Sequence, residues 1–253
     1  MSQVATSYQP RSTVSDHATT ENNFSDSVAR LLDRMDCRPA DTTAEREAIS
    51  RLRYQAYLRE GAISPNASRA FSDPYDDTEN AYVFGLYVDG DLASSIRLHV
   101  ATREHSDFPS LAVFRDILQP EVDAGKVIID PTRFVVDETL SRLHRGLPYA
   151  TLRVGWMASA YFASDLTLAA VRPEHQAFYR RTFGHRVICG PRPYPHLAKP
   201  ISLMTMHYPS VADQVHRRLP FLRSTLFERR MLFERHRTQP AFGHLAHAAA
   251  SAP

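Results

Sequence analysis

Cysteine is nearly absent: in 253 residues only Cys37 and Cys189 occur. That excludes a disulfide-stapled scaffold and a four-cysteine zinc site, and a reducing, cytoplasmic setting is expected. Glycine is scarce as well. None of the nine forms a G-x-G or opens a G-x-x-x-x-G-K, so the loops that wrap dinucleotides and nucleoside triphosphates are missing. No apolar run approaches the ~20 residues needed to cross a bilayer. The opening MSQVATSYQPRS is polar, so no secretory signal is expected there. Neither sign of charge is in surplus: 30 Lys+Arg stand against 28 Asp+Glu, a net +2, which gives no global field for nucleic acid. H-E-x-x-H is absent and His99, His144, His175 and His185 have no ligand-like spacing, so no metal is expected. No internal repeat is evident.

What is present suits a folded chain with a sizeable core: 43% apolar and 23% charged residues. Residues 26–35 have a helical apolar period through Val28, Leu31, Leu32 and Met35, and 34–39 read as a short strand. Thr42 and Glu45 form a capping box that starts a helix with Ile49, Leu52 and Ala56 on one face, ending at Gly61. Residues 82–88 and 92–101 are strands joined by Asp89-Gly90, a two-residue turn whose positions both need positive φ. A short helix at 111–118 precedes a strand at 126–136, KVIIDPTRFVV, expected to bulge or bend at Pro131 because proline cannot donate to a ladder. Then come a helix at 147–163, a strand at 166–171, a helix opened by Pro173, strands at 186–189 and 201–208, and one helical stretch from 210 to about 237. The order predicts a mixed α/β (α+β) class, one central sheet with antiparallel members flanked by helices.

Charges inside apolar strands are costly unless paired or facing a cleft. Arg97 in SSIRLHV and Asp130 and Arg133 in IIDPTRFVV are such charges, and a proline bend between the last two would let both reach one cleft. The acidic run Asp73, Asp76, Asp77 is opposite in sign to Arg53, Arg97 and Arg133. Either these are ordinary ion pairs and turn caps, or they form a buried network shaping an active cleft.

Five collinear segments carry a resemblance. They are LRYQAY at 52–57, DPYD at 73–76, SIRL at 95–98, DPTRF at 130–134, and PEHQAFYRRTFG at 173–184, followed by GPRPYP at 190–195. In this order, across about residues 34–208, the chain resembles the acyl-carrier-protein-dependent N-acyltransferases of the GNAT superfamily. These are the N-acyl amino acid synthases and their acyl-homoserine-lactone-synthesising cousins. The late proline-rich turn favours the amino-acid branch. The resemblance implies a GNAT-like acyl-CoA N-acyltransferase fold over 24–208. Composition predicts that residues 1–23 are disordered, that 209–237 form a helical extension and that 238–253 are a flexible tail whose His244 and His247 are solvated rather than weak metal ligands. It implies transfer of a long acyl chain from a carrier-protein thioester to the α-amine of an amino acid, with acyl-CoA as the alternative donor and no permanently bound cofactor. Two departures stand out: Asp130 replaces the usual Glu, and the pyrophosphate loop of coenzyme-A-using relatives is missing from DETLSRLHRGLPYATL. Arg142, Arg145 and Arg153 are then the candidates for meeting a single phosphodiester.

Amine attack on a thioester needs alignment, proton loss and oxyanion stabilisation. Without a G-x-S-x-G elbow or a Cys–His pair, direct transfer is expected. Asp130 is either its base or a structural partner of Arg133 or Arg53. Arg97 and Arg133 either hold the acceptor's carboxylate or lock the Asp73/Asp76 loop, and Arg53, Asp73 and Asp76 are the remaining polar substrate-side residues. Trp156, Met157, Tyr161 and Phe162, with Tyr179, are candidates for an acyl slot or for plain core. The segment HRRLPFLRSTLFERRMLFERHR has seven arginines. It reads as a docking helix for an acidic carrier protein, a peripheral contact of 217–237 with an anionic inner-membrane surface, or a cap on the sheet or dimer partner. The rivals are a lactone synthase using S-adenosylmethionine, a coenzyme-A-dependent acetyltransferase of small amines, and a non-catalytic module binding carrier protein or lipid.

Overall fold

A computed structural model describes residues 13–194 and 197–234, with side chains from residue 23 on. Helix α1 (Thr13–Leu32) leads into strand β1 (Met35–Pro39). Its backbone is helical from Thr13, inside the segment expected to lack structure: once Val28 and Leu31 are buried, extending a helix over polar residues costs little. Residues 1–12 and the 238–253 tail, with its two histidines, lie outside the described residues.

Helix α2 (Thr43–Arg59) starts from the expected capping box, with Thr42 Oγ1 accepting from the Glu45 N–H and the Glu45 carboxylate accepting from the Thr42 N–H. Ile49, Leu52 and Ala56 are buried, and so is Arg53. A 3₁₀ turn (Pro74–Asp77) precedes the hairpin β2 (Ala81–Val88) and β3 (Asp91–Ala101). Its turn has φ +51° at Asp89 and +94° at Gly90, as such a hairpin requires. The single helix expected at 111–118 is two, α3 (Pro109–Val113) and α4 (Arg115–Asp123), because Phe114 leaves helical geometry and buries its ring completely.

Strand β4 (Ile128–Val136) runs straight through Pro131, which stays in register with Leu98. The proline is tolerated because β4 and β5 (Leu166–Val171) pair only at Ile128–Leu166 and Ile129–Thr167; beyond that no neighbour asks for its N–H. The bulge comes two residues later. Between the pairs Arg97–Thr132 and Ser95–Val135, β3 has one residue and β4 has two, with Arg133 at φ +52°. After α5 (Glu138–Leu143) and α6 (Leu147–Tyr161), β5 leads to α7 (Gln176–Phe183), β6 (Arg186–Arg192) and β7 (Ile201–Met206).

The sheet order is β1-β2-β3-β4-β5-β7-β6, antiparallel except for the short β4–β5 pairing. One face packs Phe84, Ile96, Leu98 and Ile129 against Trp156 and Met157 of α6; the other packs Ala101, Ile128 and Leu168 against Phe108, Phe114 and Leu118. The C-terminal stretch is two helices rather than one, α8 (Tyr208–Arg218) and α9 (Leu226–Phe233). Pro220 breaks it, forcing Leu219 before it out of helical geometry. Among the described residues no helix is long and apolar enough to cross a membrane.

Candidate active site

The charges singled out in the apolar strands converge. Asp76 accepts from Arg53 Nη1 at 2.7 and 2.9 Å and from Arg97 Nη1 at 3.0 Å. Asp73 accepts from Arg97 Nη1 at 2.6 Å and from Arg133 Nε at 2.9 Å, with a further Arg133 Nη2 contact. Arg97 also donates through Nε to Thr132 Oγ1 at 3.1 Å. Both aspartates sit on the 3₁₀ turn, where Asp73 caps the Tyr75 N–H. Arg133 gets there because the bulge turns it toward α2, stacking its guanidinium 4.6 Å from the Phe71 ring centroid. Burial alone would raise the Asp73 carboxyl; hydrogen bonds and charge from Arg97, then Arg133, outweigh it and hold that carboxyl well below the usual range. Arg53 goes the other way, lowered by burial and then by the Arg97 charge, with Asp76 opposing; its Nε and Nη2 have no partner.

Arg97 is fully buried and does not line the cavity described next, so it locks the Asp73/Asp76 loop and the acceptor-carboxylate role expected for it is not supported. Asp130 is also misplaced for its expected role as base. In a regular strand alternate residues face one side, and Asp130 points with Thr132 toward α3, where it accepts from Ser110 N at 3.0 Å and Ser110 Oγ at 2.8 Å. It is wholly buried, with its carboxyl pushed up first by that burial, and it has no face on the cavity.

Because β4 and β5 part after two pairs, a notch opens between them, and α6 and α7 roof it. The resulting cavity has a volume of about 700 Å³. Pro131 and Val135 of β4, Leu168 and Ala170 of β5, Leu152 and Trp156 of α6 and Phe178 of α7 give it an apolar wall. Gly155 lets α6 lie against β4: a Cβ there would stand 3.4 Å from Pro131 Cγ. Trp156 and Tyr179 line the cavity, the indole tethered to His216 on α8 at 2.9 Å. Phe162 does not. It lies six residues beyond Trp156, about 240° round the helix, and packs on Tyr82 and Phe233. Met157 and Tyr161 are likewise off the wall.

The mouth carries Arg59, Glu60, Arg172, His175 and Lys199. Arg172 donates to Glu60 at 2.9 Å and to His175 Nε2 at 2.9 Å, and burial followed by the Arg172 charge lowers the His175 pKa. His175 and His185 both line the cavity, roles the sequence reading does not assign; a histidine at each end of the QAFYRRTFG segment was the available signal. Arg153 corrects a further expectation. It is buried, donating to the carbonyls of Phe221 at 2.7 Å and Arg223 at 2.6 Å and to Glu228 at 3.0 Å, so it ties down the C-terminal segment rather than a phosphate. Arg142 and Arg145 are exposed on the stretch leading into α6. Among the described residues no three His, Cys, Asp or Glu side chains gather to hold a metal ion.

Comparisons with known proteins follow the same line. No curated protein matches the chain by sequence. The solved structure of FeeM, an N-acyl amino acid synthase from uncultured soil microbes, is similar at 20% identity and TM-score 0.60, over 74% of this chain and 98% of that one. The coenzyme-A-dependent acyl-homoserine lactone synthase BjaI aligns at 15% identity and TM-score 0.50, over 74% and 89%. An acyl-CoA N-acyltransferase from Pseudomonas aeruginosa aligns at 19% identity and TM-score 0.47, over 68% and 97%. The first two likenesses speak to the fold. The family is settled by sequence: the model for N-acyl amino acid synthase FeeM matches residues 48–207, more than half of the chain. With a GNAT-type sheet, a notch at its parallel pair and a buried arginine–aspartate lattice beside it, this chain belongs to the FeeM family of N-acyl amino acid synthases and is an N-acyltransferase.

Proposed function

We propose that the protein moves a long-chain fatty acyl group from an acyl-carrier-protein thioester to the α-amine of an amino acid. The observation that carries this reading is the apolar cavity of about 700 Å³ opening at the β4–β5 notch beside the Arg133 bulge. It is within the ~300–1,000 Å³ range of small-molecule sites, and its wall suits a hydrocarbon chain. The thioester would sit at the bulge, where Arg133 and Phe134 have no partner on β3, with the tail running toward the closed end.

Holding amine and thioester together supplies on the order of 7–11 kcal/mol of the barrier. No serine or cysteine lines the cavity among the described residues, and burial pushes the Cys37 thiol up to about 12, so a direct attack is favoured over an acyl-enzyme. The amine's proton leaves through the mouth, where Glu60 and neutral His175 are the bases at hand. The acceptor's carboxylate meets Arg172 and Lys199 there, since Asp73 and Asp76 already engage the buried arginines.

For the donor, the first N–H groups of α6 offer little to a pyrophosphate. Leu147 N–H bonds His144 O, Tyr149 N–H bonds Gly146 O and Pro148 has none. One phosphodiester met by Arg142 and Arg145 fits a carrier protein better than coenzyme A. On α9, exposed Leu226, Phe227 and Met231 beside Arg223 and Arg230 suit a peripheral contact with an anionic membrane, where the product would partition. The test is single-turnover transfer from acyl carrier protein and from acyl-CoA to a panel of amino acids, read by mass spectrometry. An N-acyl amino acid formed faster from the carrier is expected. A lactone, or no product from either donor, overturns the reading.

A further inference from the structure

The cavity wall is polar at two levels. The upper one is the charged mouth. The lower one lies at the closed end and takes no part in the chemistry described above. There Tyr179 of α7 and His185, just past the Gly184 turn, stand edge-on with ring centroids 5.6 Å apart, and both line the cavity. His185 is 4% exposed, neither ring nitrogen has a hydrogen-bond partner of good geometry, and the nearest polar groups are the carbonyls of Tyr179 and Leu168. Only burial perturbs the Tyr179 phenol, with no polar neighbour offsetting it. The His185 ring packs edge-on against Tyr179 and Phe183. A buried polar group left unpaired is destabilising. Such a group calls for an explanation, and its place on a ligand cavity points to the ligand.

Its depth decides which part of the ligand. The last β4–β5 pair is Ile129–Thr167, and His185 lies at the level of the next residue, Leu168. Met206, paired with Thr167, closes the wall there. From the bulge at Arg133 back to Asp130, the position level with Leu168, is three residues of strand, about 10 Å at ~3.3 Å per residue. The polar pair therefore faces the tail of an acyl chain rather than its reacting carbonyl. A neutral imidazole offers one donor and one acceptor, and a phenol offers both. The group that matches is a hydroxyl, itself donor and acceptor; a carbonyl would use only the donors.

We propose that His185 and Tyr179 form a subsite for a hydroxyl carried on the distal part of the acyl chain, so that the protein selects hydroxylated over unsubstituted fatty acyl groups. This rests on the acyl-transfer reading for what occupies the cavity. The test is equilibrium binding of palmitic acid and of its forms hydroxylated next to the carboxyl end, at mid-chain and at the terminal carbon, followed by transfer rates from the matching carrier-protein thioesters. Wild type is expected to bind a mid-chain or terminal hydroxy acid about tenfold more tightly than palmitic acid, a difference of about 1.4 kcal/mol. Tyr179→Phe, which removes one oxygen, and His185→Phe are each expected to bring that ratio toward one, whatever either does to the affinity for palmitic acid itself. An unchanged ratio in both variants, or a wild-type preference for palmitic acid, overturns the subsite. Selective binding without any acyl transfer overturns the acyltransferase reading of this chain and leaves the subsite standing; transfer without selectivity does the reverse. Failure of every fatty acid to bind overturns both.

Discussion

Asp73 accepts hydrogen bonds from two guanidinium groups that are themselves almost entirely out of water, Arg97 and Arg133. Removing its charge leaves two buried cations short of a partner. Asp73→Asn is expected to cost about 3–5 kcal/mol, read as a lower urea midpoint, and to loosen the 71–78 loop. Because the folded-state pKa is depressed, this contribution is complete above the ordinary carboxylate pKa of about 3.9 and is lost only as pH falls below it. Asp130 supports a different experiment. If it acts by holding Ser110, then Ser110→Ala and Asp130→Asn should lower stability together, by about 1–3 kcal/mol each. Both should keep the pH profile of kcat. Loss of one limb of that profile in Asp130→Asn alone would restore it as the base. The sequence made Arg97, Asp130 and Arg133 visible, since each breaks an apolar strand. It did not reveal their partners, because an extra residue in β4 reverses which side Arg133 faces and leaves Asp130 on the α3 side.

At the scale of elements, α6 and β4 wall the proposed acyl path. Gly155 is their point of close approach and lines the cavity. Alanine there meets Pro131 at a tight but tolerable distance, whereas a branched side chain must project into the notch. Gly155→Val is therefore expected to shift the donor preference to shorter chains, with kcat/KM for long-chain donors down about tenfold or more and short-chain donors little changed. A uniform fall across chain lengths would place the acyl path elsewhere. The capping box of α2, the Asp89-Gly90 turn and the apolar face of α2 were legible because each is encoded within a few residues. The split of the C-terminal helix at Pro220 was legible in principle. The proline was outweighed by the long run of helix formers around it. Phe162 was misassigned because an aromatic on a helix says nothing about which of two apolar neighbours it meets.

For the whole molecule, two buried histidines set the acid limit. Burial, then the Arg97 charge, lowers His99 to about 3, and burial lowers His185 to about 4, against an ordinary value near 6.5. The unfolded chain takes up these protons at a higher pH than the folded one. Stability should therefore be level above about pH 6.5 and fall below it, by up to ~1.4 kcal/mol per pH unit for each histidine, until the folded sites titrate. Urea denaturation from pH 7.5 to 4.5 checks this; His185→Phe should roughly halve the slope, and a flat profile in the parent protein would contradict it. The order of elements gave the class of fold, since hairpins and helices alternate locally. The notch was beyond reach, because it depends on where two strands cease to pair, and nothing in either strand's own pattern records that.

That parting has a further consequence. Strands β1 to β4 and strands β5 to β7 are two leaves stitched by only two rungs, and what lies between them beyond the stitch is a gap that neither leaf can fill from its own side chains. On the proposed function, a fatty chain lodged there would supply the missing filling, and the interior would be finished only while the enzyme is charged. The substrate then serves as a removable piece of the protein's own framework, and each release of product returns the molecule to an incomplete build.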